Sequence, residues 1–228
     1  MPAYNEAGQL QRSVATLISA LERLGPTFEI VLVDDGSLDA TGEIVDSISR
    51  QDERVRAVHH SSNLGVGASI ATAIGHSRGQ FFILIPADLA LEPQAIGRYL
   101  AAAPDADIVA GYTGPRSDYT LYRSLVSWAN GALLRLLFRL PIRNFNYIHL
   151  YRSSLLRGIR LQYTHSAMLY AEIFVKAKHR GARIVQIPIP YVPRETGVAT
   201  GAKPSLILKT GRDMIRLWFR QVTGRLSG

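Results

Sequence analysis

A chain of 228 residues and 25.1 kDa, 47% hydrophobic and 19% charged, is long enough for one compact domain with a real core and too apolar for disorder. The absence of cysteine excludes disulfides, thiolate metal sites and thiol nucleophiles, and fits a reducing cytosol. Lys and Arg outnumber Asp and Glu by 26 to 18, and the resulting +8 charge and pI near 10.0 favour phosphate-bearing partners. Most acids precede Asp118, whereas Lys203, Lys209, Arg212, Arg216, Arg220 and Arg225 crowd the end of the chain. The first twelve residues are polar and lack the apolar stretch of a signal peptide. No apolar run reaches the roughly 18 residues that span a bilayer, because Arg135 and Arg139 interrupt the best candidate, 121–142.

Periodicity predicts a helix over 9–24, where Leu10, Val14, Leu17, Ile18 and Leu21 recur at three- and four-residue steps before Gly25-Pro26 stops it. A strand over 28–33 runs into Asp34-Asp35-Gly36-Ser37, and Ser37 or Asp39 can cap a helix over 40–50. A strand at 55–60, a helix at 63–77, a strand at 81–85 ending at Pro86, and a helix from about Pro93 follow. Then come a strand at 108–111, a loop at 114–118, helices over 119–139 and 167–180, and a late strand at 183–188. This alternation predicts an α/β fold with a mostly parallel sheet and helices on both faces. Without repeats or linkers, 1–228 reads as a single domain.

Pro2-Ala3-Tyr4-Asn5 reads as a turn from a strand into a helix, yet no strand precedes it. The first strand is therefore expected to be missing, with Met1 an internal residue of a longer natural chain and backbone groups exposed on neighbouring strands. Three turns, Asp34-Asp35-Gly36-Ser37, Asn63-Leu64-Gly65-Val66-Gly67 and Pro86-Ala87-Asp88, follow consecutive strands. Each alone reads as helix capping or turn chemistry; together they are expected to converge at the carboxyl edge of the sheet, where α/β ligands bind. Gly65-Val66-Gly67 lacks the third glycine of the dinucleotide fingerprint.

Pro2-Ala3-Tyr4-Asn5-Glu6, Val33-Asp34-Asp35-Gly36-Ser37 with Asp39 and Thr41, and Asn63-Leu64-Gly65-Val66-Gly67-Ala68 together resemble family-2 glycosyltransferases of the polyprenyl-phosphate branch, typified by dolichyl-phosphate mannose synthase. Tyr170-Ala171-Glu172-Ile173, the run from Gly181 to Pro188, and Tyr191-Val192-Pro193-Arg194 extend the likeness over nearly the whole chain. The resemblance implies a GT-A fold, with 1–112 as the nucleotide-sugar half, 113–200 as the acceptor half and 203–222 as a basic amphipathic helix. It implies that Ala3, Tyr4, Glu6, Asp34, Asp35, Gly65 and Ala87 hold the nucleotide-sugar donor, with carboxylates accepting from ring N–H and hydroxyl groups. Asp88 matches the last carboxylate of the Asp-X-Asp element, which would hold Mg2+ or Mn2+ against the diphosphate and act catalytically.

The chain departs from that pattern at Pro86, where the family carries an aspartate, and at Ala90; weakened or lost metal dependence is the expectation. Arg123 and Arg194, with Arg152 as a third candidate, are the expected cations for an acceptor phosphate, the first two catalytic by positioning it. The segment Arg143-Asn144-Phe145-Asn146-Tyr147-Ile148-His149 replaces the family's Asp-X-X-Ser-Gly-Phe-Arg, so the acceptor pocket is expected to be altered, with His149 a structural residue or a general base. Glu172 reads as an i,i+4 partner of Lys176 or as a group facing the site.

Residues 121–140 and 205–222 mix Trp, Leu and Phe with bases, a pattern suited to helices in the headgroup layer or to core packing. The expected function is sugar transfer from a GDP-mannose or UDP-glucose type donor to a polyprenyl or dolichyl phosphate, with inversion, by a peripheral enzyme on the cytosolic face of the membrane. Membrane attachment would come from the surface itself or from an integral membrane partner. The alternative is a non-catalytic relative that binds a sugar nucleotide or a membrane partner. Nucleic acid is not an expected partner, because the basic pI stands without a recognition motif.

Overall fold

A computed structural model describes residues 1–114, 120–166, 168–192 and 204–226. Strand β1 (Pro2–Ala3) leads to helix α1 (Leu10–Leu24), β2 (Ile30–Asp34), α2 (Thr41–Gln51), β3 (Val55–His59), α3 (Val66–His76) and β4 (Phe81–Ile83). A 3-10 turn at Pro93–Ala95 enters α4 (Ile96–Ala102), followed by β5 (Ile108–Tyr112), α5 (Leu121–Phe138), β6 (His149–Arg152), α6 (Ser153–Arg157), α7 (Leu169–His179), β7 (Ile184–Pro188) and α8 (Pro204–Val222). The expected loop at 114–118 lies outside the described residues apart from Gly114.

The strands form two sheets, a parallel one of order β1-β2-β3 and a mixed one of order β4-β6-β5-β7. Two expectations are corrected here. Pro2–Ala3 forms a strand, paired in parallel with Val33 and Asp34, and Met1 continues the ladder by exchanging hydrogen bonds with Val31 and Val33. The backbone edge of β2 along 31–35 is therefore satisfied. The other correction is β6, which runs antiparallel between β4 and β5 in a span, 140–166, where the pattern predicts no element. Its four residues carry no alternation, because His149, Leu150 and Tyr151 are all buried.

Both sheets share the same two covering layers. Along β2, Val31 and Val33 pack with Ile70 and Ile74 of α3, Leu134 and Phe138 of α5 and Phe174 of α7, while Ile30 and Leu32 pack with Leu10, Val14 and Leu17 of α1 and Tyr99 of α4. On β5, Ile108 and Ala110 join the first group and Val109 the second. This is the period-two alternation of a sheet buried on both faces.

Charge is buried beneath the second half of the chain. Glu172 on α7 is fully buried and pairs with Lys176 one turn on, at 3.0 Å. Its carboxylate also accepts from the backbone N–H of Gln162 and Tyr163, while Lys176 donates to the carbonyl of Arg160. The pair thus fixes residues 160–163, and its geometry matches the i,i+4 reading. Removing one member strands the other charge in the core along with the loop's N–H groups. Glu172→Leu is expected to cost about 3–5 kcal/mol, read as a lower urea midpoint at unchanged slope; a loss below about 1 kcal/mol would contradict the burial of this pair.

Candidate functional site

The turns after β1, β2 and β3 converge by direct hydrogen bonds. Asp35 follows β2 and is buried; its Oδ1 accepts from Leu64 N–H at 3.0 Å, its Oδ2 from Gly65 N–H at 2.8 Å, and His60 Nδ1 lies 2.7 Å from Oδ1. Its own backbone N–H donates to the carbonyl of Ala3 at 2.9 Å. Backbone N–H groups of Asn5, Glu6 and Ala7 donate to Ser37 Oγ, Thr41 Oγ1 and Asp39 Oδ2, so the turn after β1 is laced to the turn after β2. Asp39 also accepts from the N–H of Thr41, the first residue of α2, although the N-cap position itself is Ala40 and carries no side-chain cap, while Ser37 serves Asn5 instead. Gly36 adopts φ 67, and a side chain there would place Cβ 2.4 Å from the carbonyl carbon of Ser62, so the close packing of these turns requires glycine.

Asp34 is the neighbouring carboxylate, and two groups hold it. Ser37 N–H donates to Oδ1 at 3.0 Å and His59 Nδ1 lies 3.1 Å from Oδ2, while His59 Nε2 is 3.0 Å from Asp46 Oδ1. Burial opposes ionisation of Asp34, but the hydrogen bonds from Ser37 and His59 outweigh it and hold its pKa below the ordinary carboxylate value. Burial likewise opposes protonation of His59, but the carboxylates of Asp34 and Asp46 outweigh it and raise its pKa. Sequence reading missed both histidines; their place at and just beyond the carboxyl end of β3, beside two acidic turn residues, was the available signal.

The other expected donor residues are placed unevenly. Tyr4 is exposed, Glu6 is half-buried and accepts from Gln9, and Ala3 and Ala87 are buried. Gly65 sits at the entry of α3 with its N–H already given to Asp35. Asp88 stands on the turn leaving β4, half-buried, with Oδ1 accepting from Ala90 N–H at 3.2 Å. The next residue, Leu89, takes a left-handed φ of 45, a conformation that costs a branched side chain roughly 1–2 kcal/mol and stores strain beside Asp88.

The expected metal is tested by this donor set. Asp88 is the one carboxylate of the shortened Asp-X-Asp element, and among the described residues no group of three or more His, Asp or Glu could hold an ion. The residues described do not fit a metal site built by the protein alone; an ion there would depend on phosphate oxygens of a substrate.

On the acceptor side, Arg123 lies in the first turn of α5, where its backbone N–H donates to Thr120 Oγ1. Arg194 lies outside the described residues. Arg152 is corrected: paired with Phe81, it sits at the end of β4 opposite the Asp88 turn, where it binds Asp107 and the carbonyl of Ala106 and covers the Phe81 ring. This salt bridge gives Arg152 a structural role. In the altered segment 143–149, Phe145, Tyr147, Ile148 and His149 are buried in the core, while Arg143 and Asn146 are exposed. His149 Nε2 is bonded to the carbonyl of Phe145, the ring is boxed by Tyr151, Tyr170 and Phe174, and burial pushes its pKa down to about 4. It is a neutral structural residue.

The model of glycosyl transferase family 2 matches residues 1–174. The chain belongs to that family. It is 30% identical over 199 residues to undecaprenyl-phosphate 4-deoxy-4-formamido-L-arabinose transferase of Edwardsiella ictaluri, covering 86% of this chain and 60% of that protein. It is 25% identical to glycosyltransferase AglD of Haloferax volcanii over 96% of this chain and 36% of that protein, so it spans only part of the length of these two relatives. Undecaprenyl-phosphate mannosyltransferase of Micrococcus luteus is 28% identical, with 86% and 84% covered. Among solved structures, glucosyl-3-phosphoglycerate synthase of Mycobacterium tuberculosis, in complex with Mn2+, UDP-glucose and phosphoglyceric acid, superposes with a TM-score of 0.72 at 15% identity, covering 96% of this chain and 78% of that one. The fold is the GT-A fold expected from the sequence, with a reversed strand in its second sheet.

The imidazole of His59 ties stability to pH. Because its pKa rises on folding, its contribution is complete below about pH 6.5 and disappears as pH climbs through the raised folded value. Asp34 has the opposite sense: its contribution is present above about pH 3.9 and is lost as pH falls through its lowered folded value. His59→Gln is expected to lower the thermal midpoint more at about pH 5.5 than at about pH 9. Equal losses at the two values would mean that the charge of His59 is not felt.

Proposed function

We propose that this chain transfers a sugar from a nucleotide diphosphate sugar to a polyprenyl phosphate, of the undecaprenyl kind named for its relatives, at the cytosolic face of a membrane. The observation that carries the reading is the cluster of turns joined through Asp34 and Asp35 in a chain of this family. In this reading Asp34, held ionised, accepts from the donor's base or ribose, with Tyr4 and Glu6 beside it. Asp35 is committed to Leu64, Gly65 and His60, so it shapes the pocket more than it touches the ligand. Ala3, Gly65 and Ala87 would line the pocket through backbone.

The chemistry needs no general base, because a lipid phosphate is already ionised near neutral pH. An acceptor oxygen attacks the anomeric carbon, the bond to the nucleotide diphosphate breaks with its electron pair leaving on the diphosphate, and the configuration inverts. Arg123 and Arg194 would hold the acceptor phosphate in line, and Asp88 would border the reacting diphosphate. Among the described residues no helix is long and apolar enough to cross a membrane.

A second reading, a non-catalytic relative that still binds a sugar nucleotide or a membrane partner, is favoured by Pro86 in place of a carboxylate and by the altered 143–149 segment. Labelled donors offered with detergent-dispersed polyprenyl phosphate decide between them. Transfer of label into the organic phase is expected from a GDP-mannose or UDP-glucose type donor, with a weak response to EDTA. Folded protein that binds donor but transfers nothing would establish the second reading. Pro86→Asp is expected to raise the Mn2+-dependent rate by roughly tenfold or more; an unchanged rate would show chemistry that does not use that position.

A further inference from the structure

A groove whose lining includes none of the acidic turn residues lies between α8 and residues 160–165, with a volume of about 1150 Å3. Arg160, Lys209, Arg212, Arg216, Arg220 and Arg225 line it, and Asp213 is the acid among the described lining. Asp213 is buried and already faces Arg212 at 3.6 Å and Arg216 at 3.9 Å, so most of the positive charge is uncompensated.

The exposed half of α8 is divided lengthwise. Leu208, Ile215, Phe219 and Val222 recur at steps of seven, four and three residues and form one apolar stripe, with Phe219 59% exposed. Lys209, Arg212, Arg216 and Arg220, at steps of three and four, form the basic stripe beside it. Met214 and Leu217 point into the core and fix the orientation of both. Helix α5 packs beside α8 and carries exposed Leu121, Leu125, Trp128 and Leu136 of its own.

We propose that this groove and the two helices form a binding site for anionic phospholipid, with α8 lying in the headgroup layer. The apolar stripe enters the acyl boundary, and the arginines, whose stems run along it, meet the lipid phosphates. Charge complementarity selects this occupant. A second copy of the chain in a two-fold contact would set one basic groove against another, and an acidic protein would leave four large apolar side chains unexplained. The other wall of the groove is rigid, because Glu172 holds Gln162 and Tyr163, and Arg220 donates to Gln162 Oε1. Next to that wall, Thr164 packs on the first turn of α3, where a Cβ on Gly67 would lie 1.9 Å from its carbonyl oxygen.

The proposal rests on the membrane-surface reading above and is tested apart from it by flotation with vesicles of phosphatidylcholine alone or with about 30% phosphatidylglycerol. Binding to the anionic vesicles, release at high salt and little binding to neutral ones are expected. Lys209→Gln with Arg225→Gln, which leaves the Asp213 pairs intact, is expected to weaken anionic-vesicle binding by roughly 30-fold at unchanged thermal midpoint. Ile215→Ser with Phe219→Ser is expected to release the protein even at low salt. Equal binding to both vesicle types, binding unaffected by the charge variant, or a stable dimer that covers α8 would overturn the proposal. Transfer in detergent without flotation would overturn it while leaving the catalytic reading intact; flotation without transfer would do the reverse.

Discussion

The carboxylate of Asp35 is the interaction on which the site depends. It sits where β2 ends and takes hydrogen bonds from the N–H groups of Leu64 and Gly65, with His60 on the remaining side. Those two N–H groups belong to the entry of α3, so a single buried side chain sets the distance between the second and third turns. Its backbone N–H reaches Ala3 and sets the first. A buried carboxylate with this many donors is expensive to disturb, because each donor left unpaired costs about 1–3 kcal/mol.

The same logic operates in the second half, where Glu172 and Lys176 carry buried charge to hold an otherwise irregular loop. One pair organises the acidic pole of the molecule and the other the basic pole. They meet where Thr164 rests on the first turn of α3, a contact so close that it admits only glycine at position 67. A chain with a net charge of +8 thus segregates its signs: carboxylates at the turns after β2 and β4, arginines along α8. Under the proposed function, a phosphate-rich donor near the carboxylates would be oriented by hydrogen bonds from base and ribose, whereas a lipid surface would be met by cations.

Much of the layout is readable from pattern. Helices with one apolar face, such as α1, and strands bounded by turn residues, such as β2, follow from local period and are found within a few residues of their observed limits. Strand β6 escapes because a short strand buried on both faces has no period to detect, and β1 because two residues are too few. Among the site residues, the two aspartates were legible from their turn, but the division of labour between them was not. Asp34 and Asp35 are adjacent in sequence and alternate in direction, so one meets His59 and the other the entry of α3. Arg152 shows the opposite failure: a basic residue in a suggestive motif lies at the far end of β4, because the antiparallel sense of β6 reverses which end of the sheet it reaches.

The sequence by itself determined the α/β class, the acidic turns, the loss of a carboxylate at Pro86 and the amphipathic character of the last helix, because these are properties of local order and residue type. Tertiary structure alone decided which partners each of the two adjacent carboxylates takes, that His149 is a buried neutral ring, that Glu172 carries a loop, and that α8 turns its basic stripe toward residues 160–165. Each of those depends on which distant segment fills the space beside a side chain, and burial and hydrogen-bond partners are set by that packing and not by neighbours in the chain.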